Sequence, residues 1–399
     1  MSDVLVSFDF PPTIGGAHKW LYDIYSRWPT EVQVLTAEFS KNPDKLNEQR
    51  AFDKHAGKLL SIHRRAGVLP HFDALSLKYP PLLWKQVAAI KDLAGTRSSQ
   101  RADIARIHVL RAVPEGIPAW LYCKLRSRTT RLITFVHGEE VLVSQTSRQL
   151  RILARQIYED SHLVIANSEN TQNVLREMFP NVRSICIHPG VDTHEFQVQD
   201  GNREHYRRRF GWSEEIVIVL ILARMEPRKN HSMVIRAISR LRSEKLPIAL
   251  VCGGDGPERR YLENLTRDLG LSEWVRFVGI VPEHEKPHIY AAADIFAMPS
   301  ITAGVMIEGF GIVLVEAAAA GLPTVCGITG GQREAIWDGV SGYAVDGESV
   351  DDVTEAIGQL ARNPELRRRF GDAGRKLAAE HDWGVVIQEV WEKIQNYSI

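Results

Sequence analysis

Cysteine is scarce in this chain: four among 399 residues, at Cys123, Cys186, Cys252 and Cys326, with no C-x-x-C spacing. That scatter argues against a disulfide-stapled scaffold and a cysteine-based zinc site, and it points to a reducing, cytoplasmic setting. Long apolar runs are missing as well. The longest strand-like one, Ile216 to Ala223, spans eight residues, far short of the ~18 or more that cross a bilayer. The first residues, Met1-Ser-Asp-Val4, have neither the basic start nor the long apolar core of a secretory signal. Net charge is absent too, with 49 Lys+Arg against 49 Asp+Glu.

What is present is an ordinary globular composition, 44% apolar and 25% charged, at a length that suits two to three domains. Short apolar runs alternate with amphipathic stretches, the pattern of a doubly wound α/β protein. Strands are expected near Val4–Phe8, Val32–Leu35, Ile107–Leu110, Leu132–Val136, Leu163–Ala166 and Ser184–His188. A polar link through Val191–Asp200 follows, then a second series at Ile216–Ala223, Ile248–Cys252, Val275–Val278, Ile295–Met298, Thr324–Cys326 and Gly342–Val345. One architecture is thus repeated, with domains expected over 1–198 and 199–382.

The stretch Glu308-Gly309-Phe310-Gly311-Ile312-Val313-Leu-Val-Glu316 places one carboxylate in a loop and another inside a helix. Gly309 and Gly311 oppose helix, Ile312 onward supports it, and Gly321 with Pro323 stops it. Eight residues in helical register rise about 12 Å, enough for the carboxylates to hold opposite ends of a nucleoside diphosphate-sugar. The amides near Ile312 and Val313 would face a phosphate. A solvated loop glutamate followed by a helix glutamate is the plainer reading of the same spacing. After Ile216–Ala223 comes Arg224-Met-Glu-Pro-Arg-Lys229-Asn-His, a strand emptying into a loop with spaced cations. Ligands of open parallel sheets bind at the carboxyl ends of strands, so Arg224 and Lys229 form a candidate diphosphate clamp, a plain surface charge run being the alternative. Near the start, Asp9-Phe-Pro-Pro-Thr-Ile-Gly15-Gly16 leads a strand into a helix, with glycines that permit close approach to phosphate. His137-Gly138-Glu139-Glu140 closes another strand, where a lone histidine is more often structural. No Asp-x-Asp occurs that could hold a divalent cation on a diphosphate, so no metal and no cofactor are expected.

In this order, these pieces resemble the retaining glycosyltransferases of the GT-B fold called family 4, which includes sucrose synthases and bacterial mannosyltransferases. Further landmarks are Ala166-Asn-Ser-Glu169, Pro189-Gly-Val-Asp192, Gly253-Gly-Asp-Gly-Pro257 and Ala293-Asp-Ile-Phe-Ala-Met-Pro-Ser300. The resemblance implies two Rossmann-like domains, an N-terminal acceptor side and a C-terminal nucleotide-sugar side, with the last helix, 383–399, crossing back to the first. It gives Glu308 the donor-sugar hydroxyls, Glu316 the ribose, Arg224 and Lys229 the diphosphate, and His137 a place beside the reacting carbon. Gly15 and Gly16 would close over the phosphates. Many members follow the lysine with glycine, whereas this chain has Asn230, so its loop geometry is expected to differ. Gly327-Ile-Thr-Gly-Gly-Gln-Arg-Glu334 behind the glutamates is nearer to phosphatidylinositol-mannoside mannosyltransferases than to the sucrose enzymes, which implies GDP-mannose, with a UDP-hexose as the other donor. The implied acceptor is a glycan, glycolipid or small molecule, and no nucleic-acid partner is expected.

Gly254-x-Gly256 after a strand also suggests a dinucleotide fold, but Arg259 stands where the third glycine would be. A glycosidase would need its carboxylates facing one bond. A UDP-N-acetylglucosamine 2-epimerase on the same architecture and a catalytically silent sugar-nucleotide-binding protein are the remaining rivals. The halves differ in charge, and the N-terminal excess lies between Lys54 and Arg131, including Arg64, Arg65, Lys85, Lys91, Arg97, Arg101, Arg106, Arg111 and Trp120 to Arg128. Such a surface suits peripheral contact with anionic lipid or an acidic acceptor. The competing reading turns Trp120 and Tyr122 toward the core and leaves the cations to solvate the outside.

Overall fold

The computed structural model describes residues 2–12, 15–39, 42–56, 59–66, 79–95, 104–197 and 201–397. They form two compact units, Met1–Ile187 with Ile387–Ile399, and His188–Val386. The first carries strands β1 (Ser2–Val6), β2 (Val32–Ala37), β3 (Leu60–Arg65), β4 (Ile104–Val109), β5 (Arg131–Val136), β6 (Leu163–Ala166) and β7 (Ser184–Cys186). They make one sheet in the order β3-β2-β1-β4-β5-β6-β7. The second carries β8 (Val217–Leu222), β9 (Ile248–Gly253), β10 (Val275–Gly279), β11 (Ile295–Met298), β12 (Thr324–Gly327) and β13 (Gly342–Val345), ordered β10-β9-β8-β11-β12-β13. Every ladder is parallel. The strand order reverses direction beside β1 in one sheet and beside β8 in the other, and ligands of such sheets bind outside the carboxyl ends at those points.

Local sequence explains the elements. Central strands such as Val-Ile-Val-Leu-Ile-Leu in β8 are apolar nearly throughout because helices cover both faces. Ser168 and Asn363 accept hydrogen bonds from the amides of Thr171 and Leu366, fixing the starts of the helices Glu169–Met178 and Pro364–Glu380. The helix Gly16–Ser26 buries Trp20, Leu21, Ile24 and Tyr25 on one stripe. Strand β3 has no counterpart among the strands expected from the sequence. Its residues, Leu-Ser-Ile-His-Arg-Arg, are half-buried at the sheet edge, so the apolar run that marks an inner strand is not required.

The units divide at Ile187/His188, eleven residues before the boundary expected at 198/199. The segment after His188 belongs to the second unit because Val191 exchanges backbone hydrogen bonds with His381 and Trp383. The segment from Ile387 onward belongs to the first, where Trp391 packs edge-on against Trp28 with centroids 5.1 Å apart and beneath the Arg106 guanidinium. Part of the expected basic surface is neutralised within that unit. Arg64 pairs with Asp53, Arg106 with Asp3, Arg111 with Glu115 and Lys124 with Asp160. Tyr122 is buried and the Trp120 indole donates to Asp160 at 2.6 Å, so both belong to the body of the domain. Arg97 and Arg101 lie outside the described residues. Among the described residues no helix is long and apolar enough to cross a membrane.

One core histidine gives a testable acid limb. His108 on β4 is fully buried, its ring nitrogens have no hydrogen-bond partner among the described residues, and it packs against Tyr25 and Trp28. Burial lowers its pKa to about 4, with nearby Asp3 opposing and Arg106 reinforcing the shift. The unfolded chain therefore binds this proton between about pH 6.5 and 4 while the folded chain does not, so stability present above pH 6.5 is lost as pH falls, by up to about 3 kcal/mol. In chemical denaturation of His108→Gln and parent, the gap between the two should close or reverse towards pH 4. A gap independent of pH would refute this.

Candidate functional site

In the second unit, β8 ends in the loop that carries Arg224 to Lys229. That loop is shaped by close packing on Gly253-Gly-Asp-Gly256. A Cβ at Gly254, whose φ is +119°, would lie 2.0 Å from the Ala223 carbonyl oxygen, and one at Gly256 would lie 2.4 Å from that of Met225. Asp255 and Met225 are joined by a 2.9 Å backbone hydrogen bond. The glycines of this loop thus serve backbone contact with the cationic loop. Asn230, the departure from glycine, adopts a left-handed φ of 59°, a conformation open to asparagine. Its amide donates to the carbonyls of Pro299 at 3.0 Å and Gly347 at 2.7 Å. A glycine could supply the turn but not these two ties.

The glutamates are both buried, and each is held by cations of its own. Glu308 Oε2 accepts from Arg228 at 2.7 Å and from Lys229 in a short contact. Burial alone would raise its pKa, yet Lys229 and Arg228 hold it below the usual carboxylate range, so it is ionised at neutral pH. Its backbone is fixed by Gly330 and Gly331: the Gly331 amide donates to the Glu308 carbonyl at 2.9 Å, and a Cβ at Gly330 would meet that oxygen at 2.4 Å. Glu316 sits on the helix Ile312–Ala319, where it accepts from Lys286 at 3.3 Å and from the Tyr290 hydroxyl at 2.9 Å. Burial works against the charge on Lys286, but Glu316 and Glu283 raise its pKa above the ordinary value.

Gly311, with φ +89°, starts this helix. The Ile312 and Val313 amides have no protein acceptor among the described residues, as expected for a first turn whose free N–H groups can receive an anion. Gly309 precedes them in the same loop. The Phe310 ring turns the other way, buried and stacked on His188 with centroids 5.1 Å apart, so only its backbone is left for a ligand. Arg224 stands apart from Lys229. Its side chain is 69% exposed and pairs with Glu226 at 2.8 Å, which also neighbours Arg228. An alternating chain therefore runs Arg224, Glu226, Arg228, Glu308, Lys229.

Sequence reasoning missed Arg228, Lys286 and Tyr290. Arg228 was visible only as part of a charge run. Lys286 and Tyr290 lie four apart on the helix Lys286–Ala292, which places them on one face, but nothing local ties that face to Glu316.

In the first unit, Asp9, Arg111 and His137 follow the ends of β1, β4 and β5. Arg111 grips the fully buried Glu115 in a fork, 2.8 and 3.2 Å, with Asp9 at 3.8 Å. His137 packs edge-on to Trp20, and its Nε2 is buried with no hydrogen-bond partner among the described residues. Burial, then the Arg111 and His18 charges, lower its pKa to about 3 against a hydrogen bond to the Leu110 backbone, so the ring is neutral. The His137 amide donates to Glu140 at 2.6 Å. Burial raises that carboxyl to about 7 despite this bond. Gly15 caps the helix Gly16–Ser26 and would, with a Cβ, lie 3.2 Å from the His18 ring; a Cβ at Gly16 would meet nothing within 4 Å.

Residues 202–377 match the family model for glycosyl transferases group 1, and residues 14–195 match the one for Glycosyltransferase Family 4. A GDP-mannose-dependent alpha-(1-6)-phosphatidylinositol monomannoside mannosyltransferase of Mycolicibacterium smegmatis is 33% identical over 381 residues, 95% of this chain and 94% of its own length. The chain belongs to glycosyltransferase family 4. A mannosyltransferase of the same description from Mycobacterium tuberculosis is 31% identical to this glycosyltransferase, covering 97% of the chain and 96% of its own length. Among solved structures, Anabaena HepE in complex with UDP and glucose matches with a TM-score of 0.79 at 20% identity, over 99% of each chain. Sucrose-phosphate synthase from Thermosynechococcus elongatus matches with 0.77 at 19% identity, over 99% of this chain and 98% of its own. The two parallel-sheet, Rossmann-like domains are those of the GT-B fold. The enzyme is a retaining glycosyltransferase, as its family is, which sets aside the epimerase and dinucleotide readings.

Proposed function

We propose that this glycosyltransferase moves a mannosyl group from GDP-mannose to a glycolipid hydroxyl without a metal ion, and that it works as a peripheral protein at a membrane face. The observation that carries the site is the buried Glu308 held by Arg228 and Lys229, four residues before a helix start whose first amides have no protein acceptor among the described residues. The mannosyltransferase relatives favour this donor and acceptor.

In this reading Glu316 receives the ribose hydroxyls and Glu308 the sugar hydroxyls. Arg224, Lys229 and the amides of Ile312 and Val313 meet the diphosphate, with the Gly309 and Gly311 backbone allowing its approach. As the bond from the anomeric carbon to the phosphate oxygen breaks, charge grows on the departing diphosphate, where fixed cations and amides stabilise it without reorganising. The acceptor oxygen bonds to the same face of the anomeric carbon, and its proton passes to the leaving phosphate. His137, neutral at working pH, orients a hydroxyl through Nε2 rather than supplying a charge, and Gly15 and Gly16 give the backbone room near the phosphates.

Calorimetric titration with GDP, UDP, ADP and their sugars, in the presence of a chelator, tests this. Binding should be confined to the guanine series, and Glu316→Ala should weaken it by about 1.5–3 kcal/mol, the range for hydrogen bonds to a charged group. Preference for UDP would move the donor to a UDP-hexose, and tight binding with no transfer to glycolipid would overturn the acceptor. Unchanged affinity in Glu316→Ala would remove that residue from the ribose.

A further inference from the structure

A cavity of about 710 Å³ opens in the second unit at the edge where β11 and β12 begin. It is not the donor site. Its residues Asp294 and Pro323 precede those strands, whereas Arg224, Glu308 and the glycine loop follow strand ends. A four-residue strand alone spans about 13 Å. Its lining includes four arginines, Arg203, Arg367, Arg368 and Arg375, against one carboxylate, Asp294, with Phe196 among the apolar parts of the wall.

The arginines are not equally committed. Arg203 is used fully, by Asp294 at 2.7 Å, Glu214 at 3.0 Å and the carbonyls of Ala291 and Ala293. Arg367 is not: its Nη1 donates to the Leu360 and Ala361 carbonyls at 2.7 and 2.9 Å, and it has no carboxylate within ion-pair distance among the described residues. Burial lowers its pKa, opposed by the attraction of Asp294 and reinforced by the positive charges of Arg203 and Arg207. Among the described residues Arg368 and Arg375 form ion pairs only with Glu365 and Asp372 on their own helix, at exposed positions where such pairs contribute little and exchange readily, and Arg375 also donates to the Ala320 carbonyl at 3.3 Å. Arg375 lies across Gly321, where φ is +80° and a Cβ would come 2.2 Å from the guanidinium. The chain leaves that space to the arginine at the cavity wall.

We propose that this cavity is a second anion site, taking a compact phosphomonoester or diphosphate on Arg367, Arg368 and Arg375. The planar forks of these guanidinium groups match phosphate oxygens in pairs, and a phosphomonoester carries ≈ −1.5 to −2 at pH 7, enough to satisfy Arg367 and draw in the two rim arginines. The apolar wall beside Phe196 leaves room for the rest of such a molecule.

The test is calorimetric titration of the full chain with inorganic pyrophosphate. Two classes of site are expected. Lys229→Ala should remove only the donor-site class. The exposed double variant Arg368→Gln with Arg375→Gln, and separately Arg367→Gln, should weaken the other by at least about tenfold, with guanine-nucleotide binding kept. The double variant gives up exposed hydrogen bonds and ion pairs, so it remains readable if loss of the Arg367 carbonyl bonds impairs folding. A single class that vanishes in Lys229→Ala, or a second class unmoved by the arginine changes, would overturn the proposal. Because the arginine-dependent class is read apart from Lys229, failure of the donor reading would leave it visible. Sedimentation with phosphatidylcholine vesicles, with and without phosphatidylinositol 4-phosphate, assigns the source: binding lost in the double variant means a lipid headgroup, and no binding means a free phosphate compound.

Discussion

Glu308→Gln is expected to bind nucleoside diphosphate at least as tightly as the parent while losing about 10²–10³ in turnover, the cost of removing one preorganised group from a developing charge. The two effects have one origin. The Glu308 carboxylate neutralises Arg228 and Lys229, and the proposed diphosphate also needs Lys229. A glutamine keeps the shape and one acceptor oxygen but not the charge, so Lys229 is released to the phosphates. The sugar meanwhile loses the anion that grips its hydroxyls and steadies positive charge at the anomeric carbon. Calorimetry with the diphosphate and steady-state turnover with the full donor separate the two. Affinity and rate falling together would show that Glu308 acts on the diphosphate side, through the placement of Lys229, and parent-like turnover would take it out of the sugar site altogether.

The same residues show how far the sequence could be read. Parallel inner strands are near-continuous apolar runs, so β8, β9 and β11 are legible from composition alone, whereas β3 ends in His-Arg-Arg and looks like a surface charge cluster. Glu308 and Glu316 could be placed on loop and helix because Gly309, Gly311 and Gly321 mark where a helix cannot extend. Their partners could not. Arg228 pairs with Glu308 across 80 positions and Lys286 with Glu316 across 30, contacts fixed by how loops meet at the strand ends and not by any local periodicity. The basic N-terminal stretch is only partly readable for the same reason. A sequence shows the cations of Arg64, Arg106 and Arg111 but not the carboxylates of Asp53, Asp3 and Glu115 that the fold brings to them. The Gly253–Gly256 loop shows the reverse case. Its glycines signal close approach correctly, but what approaches is the backbone of Ala223 to Met225.

Asp294→Ala should cost the second unit about 3 kcal/mol, near the low end for breaking a buried ion pair by removing one partner. Asp294 stands immediately before β11 and accepts from Arg203 at 2.7 Å, Arg207 at 3.1 Å and the Ile218 amide at 2.7 Å. Arg207 is the critical neighbour. Only 1% exposed, it is further bound to the carbonyls of Ala292, Ser213 and Ile216, so it ties the helix Gly201–Phe210 to the starts of β8 and β11 and cannot turn out to solvent. Without Asp294 it remains buried with Glu214, whose half-exposed carboxylate at 3.1 Å offsets part of the loss and keeps the cost from the top of the range. Asp294→Asn retains an acceptor for the Ile218 amide and should recover some of the difference. Urea denaturation of both variants, followed by a probe of the second unit, gives the comparison. A loss below about 0.5 kcal/mol in Asp294→Ala, the level of an ordinary surface change, would mean that the carbonyls and Glu214 alone satisfy Arg207 and that the carboxylate before β11 is dispensable to the fold.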